Sequence, residues 1–265
     1  MSAVSAAFEK AAAEDRAALV GYVPAGFPSV RGAIEAAIAM AEAGADVIEI
    51  GLPYSDPLID GAVIQEAVYR ALTGGTRVSD VLATVQAVAA AGVPTLIMTY
   101  WNPIEQHGIE KFAAELAAVG GSGLITPDLT PEEAGPWLAA AGHYGLDPVF
   151  LVAPSSSDER IDLITDACGG FVYAASLMGI TGTRESVSSE AKGLVTRVRQ
   201  YTSIPVAVGL GVSNGRQAAE IASFADGVIV GTAFVQRLLE AANPQSGLQA
   251  VRDLASELAA GVRAR

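Results

Sequence analysis

Residues 29–52 read SVRGAIEAAIAMAEAGADVIEIGL. The first seventeen place apolar side chains three and four positions apart, the spacing of a helix with one buried face. Gly44 stands where that helix must stop, because glycine adopts the left-handed conformation of a C-terminal cap without penalty. Beyond it, VIEIGL (47–52) is an apolar burst of strand length. The couplet then repeats. ALVGYV (18–23), TLIMTY (95–100), GLIT (123–126), PVFLVA (148–153), FVYAAS (171–176), PVAVGL (205–210) and GVIVG (227–231) bring the number of such bursts to eight. Helical stretches such as VSDVLATVQAVAAAG (78–92) separate them, and Gly92, Gly120 and Gly142 occupy places equivalent to Gly44. The bursts are rich in Val, Ile and Leu with few polar breaks, as parallel strands covered on both faces must be. Strand–helix alternation of this length predicts an α/β fold, a (β/α)8 TIM barrel in which residues 1–265 form one domain. Residues 3–15 read as an extra helix ahead of strand one, able to plug the barrel bottom. A short helix is expected after strand eight. An open doubly wound sheet is the alternative, but no GxGxxG follows the first strand.

Composition narrows the function classes. The chain is 51% hydrophobic and 17% charged, with a formal net charge of −13. Such a surface repels nucleic acid and anionic membranes, yet a small anionic substrate is still admissible because local backbone dipoles act at short range. A single cysteine, Cys168, excludes an internal disulfide framework and reads as a buried small hydrophobe. The start, MSAVSAAFEKAAAEDR, has no basic segment leading into an apolar run, so no signal peptide is expected. Apolar runs elsewhere are interrupted before they reach bilayer length. A cytoplasmic protein is the expectation.

Glu49 interrupts the apolar burst of strand two. Alternate residues of a barrel strand face the lumen and the outer helices. With Ile48 and Ile50 turned toward helices, Glu49 points into the barrel near the C-terminal end of its strand, where barrel active sites lie. A carboxylate there is either a catalytic group, the partner of a core polar group, or a cap on a neighbouring strand. The loop PYSDPLIDG (53–61) adds Asp56 and Asp60 to the same rim. Asp60 directly precedes the helical run AVIQEAVYRAL, so a helix-capping role competes with an acid/base one. Asp56 before Pro57 suits a turn.

Three glycine-rich turns follow strands six to eight: GITG (179–182), GLGVSN (209–214) and GTAFVQRLLE (231–240), the last opening the short helix with Thr232 at its cap. Glycine lets backbone N–H groups approach phosphate oxygens, and a helix N-terminus adds favourable dipole charge. Each motif alone is weak; three on adjacent strands of one rim support a phosphate site. TGTRESVSSE (181–190) is polar without apolar periodicity and reads equally well as a lid or as a solvated loop.

The stretch IEIGLPYSDPLIDG (48–61) closely resembles the signature of the tryptophan synthase α subunit family: Glu, Gly, two residues, an aromatic, Ser-Asp-Pro, two residues, Asp-Gly. The resemblance extends through PAGFPS (24–29), MTYWNPI (98–104), PDLTPEE (127–133), SLMGITG (176–182), GLGVSN (209–214) and GTAFV (231–235), with Pro24 standing where the family is expected to carry a small polar residue. It implies cleavage of indole-3-glycerol phosphate to indole and glyceraldehyde 3-phosphate, a retro-aldol reaction. On that resemblance Glu49 is the expected general acid/base and Asp60 the acceptor of the indole N–H. Gly182, Gly211, Gly231 and Thr232 are the expected phosphate ligands. Tyr22, Met98, Tyr100 and Ile125 are candidates for the indole slot, though each also reads as barrel core. Tyr173 suits either a hydrogen bond within the pocket or the core, and Thr181 is expected near Asp60 when the lid closes. The resemblance further implies a pyridoxal-phosphate β subunit as partner in an α2β2 assembly, with the Asp56, PDLTPEE and WNPI loops as docking rim. No metal and no cofactor are expected in this chain: His107 reads as part of a loop after strand three and His143 as lying near a helix end on the opposite face. Two rivals persist on sequence grounds, another phosphate-binding barrel with a different acid/base pair, and a non-catalytic barrel that only activates a partner.

Overall fold

The computed structural model describes residues 1–175 and 184–264. Its strands are β1 (Ala18–Pro24), β2 (Val47–Gly51), β3 (Thr95–Met98), β4 (Gly123–Ile125), β5 (Asp147–Val149), β6 (Leu151–Val152), β7 (Val172–Ala175), β8 (Val206–Gly209) and β9 (Gly227–Val230). All paired neighbours are parallel, in the order β5-β4-β3-β2-β1-β9-β8-β7-β6. The nine segments make the eight-stranded barrel expected, because β5 and β6 are two halves of one strand parted at Phe150. The N–H of Phe150 points at Cys168 Sγ, 3.4 Å away, rather than at a strand carbonyl. That contact is the role Cys168 plays in the core; burial pushes its thiol up to about 12.

Around the strands run α1 (Ala3–Ala13), α2 (Val30–Glu42), α3 (Ala62–Thr73), α4 (Val78–Ala90), α5 (Trp101–His107), α6 (Ile109–Ala118), α7 (Gly135–Tyr144), α8 (Asp158–Ala167), α9 (Arg184–Val198), α10 (Gly215–Ala222), α11 (Thr232–Leu239) and α12 (Pro244–Val262). Gly44, Gly92 and Gly120 take the positive φ angles expected after helices. Gly142 does not: it lies inside α7, and Gly145, with φ of 69°, ends that helix instead. Two loop assignments also change. The WNPI segment is the first turn of α5, and His107 is that helix's last residue, its Nε2 2.7 Å from Glu115 Oε2. Trp101 N–H donates to both oxygens of Asp128 (2.9 and 3.1 Å), which explains why a helix begins there.

Alternation along the strands builds two cores. Leu19, Ile48, Ile50, Ile97, Val208 and Val228 pack outward against the helices. Val20, Val47, Leu96, Ile125, Val149 and Ala207 fill the lumen. α1 closes the lumen from below: Val4, Phe8 and Ala11 are buried, and the Phe8 ring lies 5.2 Å from that of Phe171. Pro24 costs no strand hydrogen bond. Odd residues of β1 bond β2, as in Ala25 N–H to Gly51 O at 2.9 Å, so the nitrogen of Pro24 faces β9, whose last paired residue lies opposite Gly21.

The strand starts are pinned electrostatically. Arg16, 3% exposed, grips Asp46 with two parallel hydrogen bonds of 2.6 and 2.8 Å and meets Glu14 at 2.7 Å. Asp46 in turn accepts the Leu19 N–H at 2.9 Å. Asp226 does the same at the other side of β1, accepting the Val206 N–H at 2.9 Å and pairing with Arg199 at 2.8 Å. The end of α12 reaches the same floor, where Val262 O accepts the N–H of Ala17 at 3.3 Å.

Removing one member of a buried pair strands the other. Arg16→Met is therefore expected to lower the unfolding free energy by about 3 kcal/mol. Arg16→Met with Asp46→Asn should recover part of that loss, as read by urea denaturation of the single and double variants.

Candidate active site

A cavity of about 390 Å³ opens at the C-terminal ends of the strands. It is floored by inward residues of successive strands: Tyr22 of β1, Glu49 of β2, Met98 of β3, Leu151 of β6, Tyr173 of β7 and Ile229 of β9. Alternation alone places Tyr22, Glu49, Met98, Leu151 and Tyr173 there, since each stands two residues beyond a lumen core residue, Val20, Val47, Leu96, Val149 and Phe171. Glu49 is 1% exposed, and its Oε1 has no hydrogen-bond partner among the described residues. A core partner for that oxygen therefore finds no support among the described residues. Burial alone raises its pKa to about 8, so the group carries its proton at neutral pH.

Two tyrosines flank it across small residues. A Cβ on Gly51 would collide with the Tyr22 hydroxyl, and one on Gly209 with that of Tyr173. Glycine at those two inward positions is what lets both rings lie across the barrel mouth. Burial is the largest influence on both phenols and holds their pKa values above the usual range, with Asp60 and Glu49 adding to it. Both are thus hydrogen-bond donors throughout the physiological range.

Asp60 lines the same cavity from the loop after β2. It does not cap α3; Gly61 occupies that position, and the Asp60 backbone carbonyl accepts from Gln65 Nε2 at 2.7 Å. The carboxyl is half-buried. Desolvation raises its pKa and a hydrogen bond from the Tyr100 hydroxyl works against the rise. Asp56 is exposed and accepts from the Ser55 hydroxyl at 2.6 Å.

The opposite wall is glycine and helix end. Gly209, Leu210, Gly211, Gly231 and Thr232 all line the cavity. Gly231, not Thr232, holds the N-cap position of α11, and Thr232 is its first helical residue. The first turn of a helix carries N–H groups with no partner inside the helix, and here that turn borders the cavity. Gly211 has φ of 64°, a conformation costly for other residues. Such a wall suits an anion without any Lys or Arg.

Tyr100 and Ile125 do not line the cavity: Ile125 is in the lumen core below it, and Tyr100 stands behind the Asp60 loop. Thr181 and Gly182 lie outside the described residues, as does the GITG turn. From Arg184 onward the segment read as lid or solvated loop is the start of α9. The cavity also takes in residues that sequence reading passes over, chiefly Ile59, Ile64, Pro127, Leu151 and Ser156. Leu151 is reachable by counting two from Val149, and Ile64 by counting one turn from Asp60. Nothing in PSSS (154–157) singles out Ser156.

Comparison with known proteins gives a consistent answer. A family model described as tryptophan synthase alpha chain matches residues 8–263. A protein of that name from Thermobifida fusca is 61% identical over 258 residues, covering 96% of each chain. Another from Salinispora tropica is 58% identical over 263 residues, covering 99% of this chain and 98% of its own. Among solved structures, aminoacrylate-bound tryptophan synthase from M. tuberculosis superposes with a TM-score of 0.91 at 49% identity, over 99% of this chain and 100% of that one.

Glu49 also carries a stability signature. Its folded pKa lies above the value in an unfolded chain, so the native state holds a proton that the unfolded state has lost between about pH 4.5 and pH 8. Its ionisation burden is absent below that window and grows as pH rises through it, by roughly 1.4 kcal/mol per pH unit at most. Glu49→Gln should accordingly raise Tm relative to the parent, with the gap widening from pH 5 to pH 8 in calorimetric scans. A gap independent of pH would contradict the buried, protonated acid.

Proposed function

The chain belongs to the tryptophan synthase alpha chain family, and from that premise we propose which of its residues perform the family's reaction and how. The family is a carbon–carbon lyase of tryptophan biosynthesis: it cleaves indole-3-glycerol phosphate to indole and glyceraldehyde 3-phosphate. The observation that carries the assignment is a buried, protonated Glu49, its Oε1 without a partner among the described residues, sharing one cavity with Asp60 and with a wall of glycine turns.

Glu49 is the general acid/base. Its proton passes to indole C3, which converts the ring into a cationic leaving group with the charge centred on the ring nitrogen. The resulting carboxylate then takes the proton of the side-chain hydroxyl next to the ring. The carbon–carbon bond breaks, its electron pair neutralises the ring, and the aldehyde forms. A pKa of about 8 suits this order, since the acid form is the resting form near neutrality. Asp60 accepts the ring N–H and stabilises the positive charge as it develops. Tyr22, Met98 and Tyr173 supply the apolar and hydrogen-bonding walls. Gly211, Gly231 and Thr232 hold the phosphate through backbone N–H groups and the α11 dipole, together with Gly182. Binding energy at that remote end fixes the reacting carbon over Glu49. Tyr100 and Ile125, expected from sequence in the indole slot, support the walls from behind.

The α subunit works with a β subunit that carries pyridoxal phosphate and uses the indole, in an α2β2 assembly. Leu58, 74% exposed, and Ile59, 44% exposed, sit on the rim beside Asp56 and offer that partner an apolar contact. We further propose that residues 1–265 act as one barrel domain. No helix among the described residues is long and apolar enough to cross a membrane, and a cytoplasmic site of action fits a biosynthetic role.

Indole release from indole-3-glycerol phosphate, measured with the β subunit present, tests these roles. Glu49→Gln is expected to lose about 10²- to 10⁴-fold in kcat. Asp60→Asn should lose activity while leaving Glu49 buried and protonated. In the parent, kcat/KM should fall as pH rises through about 8, where Glu49 ionises. Equal rates for Glu49→Gln and the parent would remove Glu49 from the mechanism.

A further inference from the structure

Tyr100 sits at the junction of β3 and α5, and its backbone is fixed from both sides. Thr99 N–H reaches Ile125 O at 3.0 Å, and Trp101 N–H is held by Asp128. Its ring lies 5.5 Å from that of Tyr54, whose hydroxyl accepts from Asn102 Nδ2 at 3.3 Å. The phenol therefore reaches the loop after β2 from a rigid base. There its oxygen accepts two consecutive backbone N–H groups, from Leu58 at 3.0 Å and from Ile59 at 3.1 Å. The Asp60 carboxyl, on the next residue, lies near enough to the phenol for each to shift the other's pKa. Two successive backbone N–H groups thus converge on one oxygen; the Leu58 side chain is exposed, while Ile59 and Asp60 border the cavity.

We propose that Tyr100 is a positioning residue for the lyase reaction: its hydroxyl anchors the backbone N–H groups of Leu58 and Ile59, immediately before Asp60, so that the loop rim and the indole N–H acceptor move as one unit. The inference rests on Asp60 being that acceptor. A hydrogen bond donated to the carboxylate favours its ionised form, which is the form able to accept an N–H in a half-buried position. A phenol already saturated by two N–H donors has its proton free for that one acceptor. Contact made by a partner at Leu58 would reach Asp60 through the same anchored loop.

Tyr100→Phe removes the oxygen and keeps the ring. The groups facing Asp60 are Tyr22 from β1, Glu49 from β2, Tyr100 itself and Tyr173 from β7. Of these only Tyr100 is altered, and losing its donor raises the Asp60 pKa. In indole release with the β subunit, kcat should fall by about tenfold or more, KM should change by less than about threefold, and the acid limb of the kcat/KM profile should move to higher pH. An unmoved acid limb, or a rise confined to KM such as a wall of the indole slot would give, overturns the proposal. Amide exchange supplies a second measure that needs no variant to fold. In the unmodified chain Leu58 and Ile59 amides should be protected despite their exposed side chains, and rapid exchange at both overturns the proposal as well. Asp60→Asn separates the two levels. Full activity in that variant removes the acceptor role and this inference with it, whereas loss of activity there with an unmoved Tyr100→Phe profile removes only the inference.

Discussion

Desolvation of one carboxyl group organises this molecule. A lumen lined by Val20, Val47, Leu96 and Ile125 offers Glu49 no counter-charge, and the closed ladder of parallel strands admits no bulk water from the side. The group answers by keeping its proton. That single response turns a weak carboxylic acid into a proton donor matched to neutral pH. The rest of the mouth is arranged around it, with two phenols that cannot compete for its proton and an anion-binding wall on the far side.

The period of two along a strand decides where each functional group ends up. Had β2 slipped by one residue against β1, Glu49 would lie under the α2 layer and Ile48 would face the lumen. The register Tyr22 to Glu49 is held by Asp46, which caps Leu19 below while Arg16 neutralises it. Chemistry at the top of the barrel thus depends on an ion pair at the bottom. The same logic assigns Asp226 to the β8 side.

Much of this is legible in the chain. Apolar bursts locate all eight barrel strands, and alternation alone turns Glu49 inward. Local backbone detail is what sequence does not supply. Gly142 has the look of a helix end, but helix α7 runs on to Gly145, where a positive φ is actually adopted. WNPI has the look of a loop because Pro103 and Asn102 favour turns, but Asp128, distant in sequence, satisfies the first N–H of α5 and permits the helix. Tyr100 suits the indole slot by its position at a strand end; its ring turns instead behind the loop, a matter of rotamer and neighbours that no periodicity encodes. Phe150 splits a strand because a distant thiol sits where a carbonyl was due.

The end of α12 meets the entry to β1 through the bond from Ala17 to Val262. Ala17 and Val262 consequently meet on the floor, away from the reacting groups. Topologically the eight units from β1 to α12 form a ring with one gap in it. Linking the end of α12 to the start of β1 and opening a floor turn elsewhere would yield a permuted polypeptide whose mouth contains every group in the same place. The order in which genes encode the eight units is thus separable from the catalyst they build.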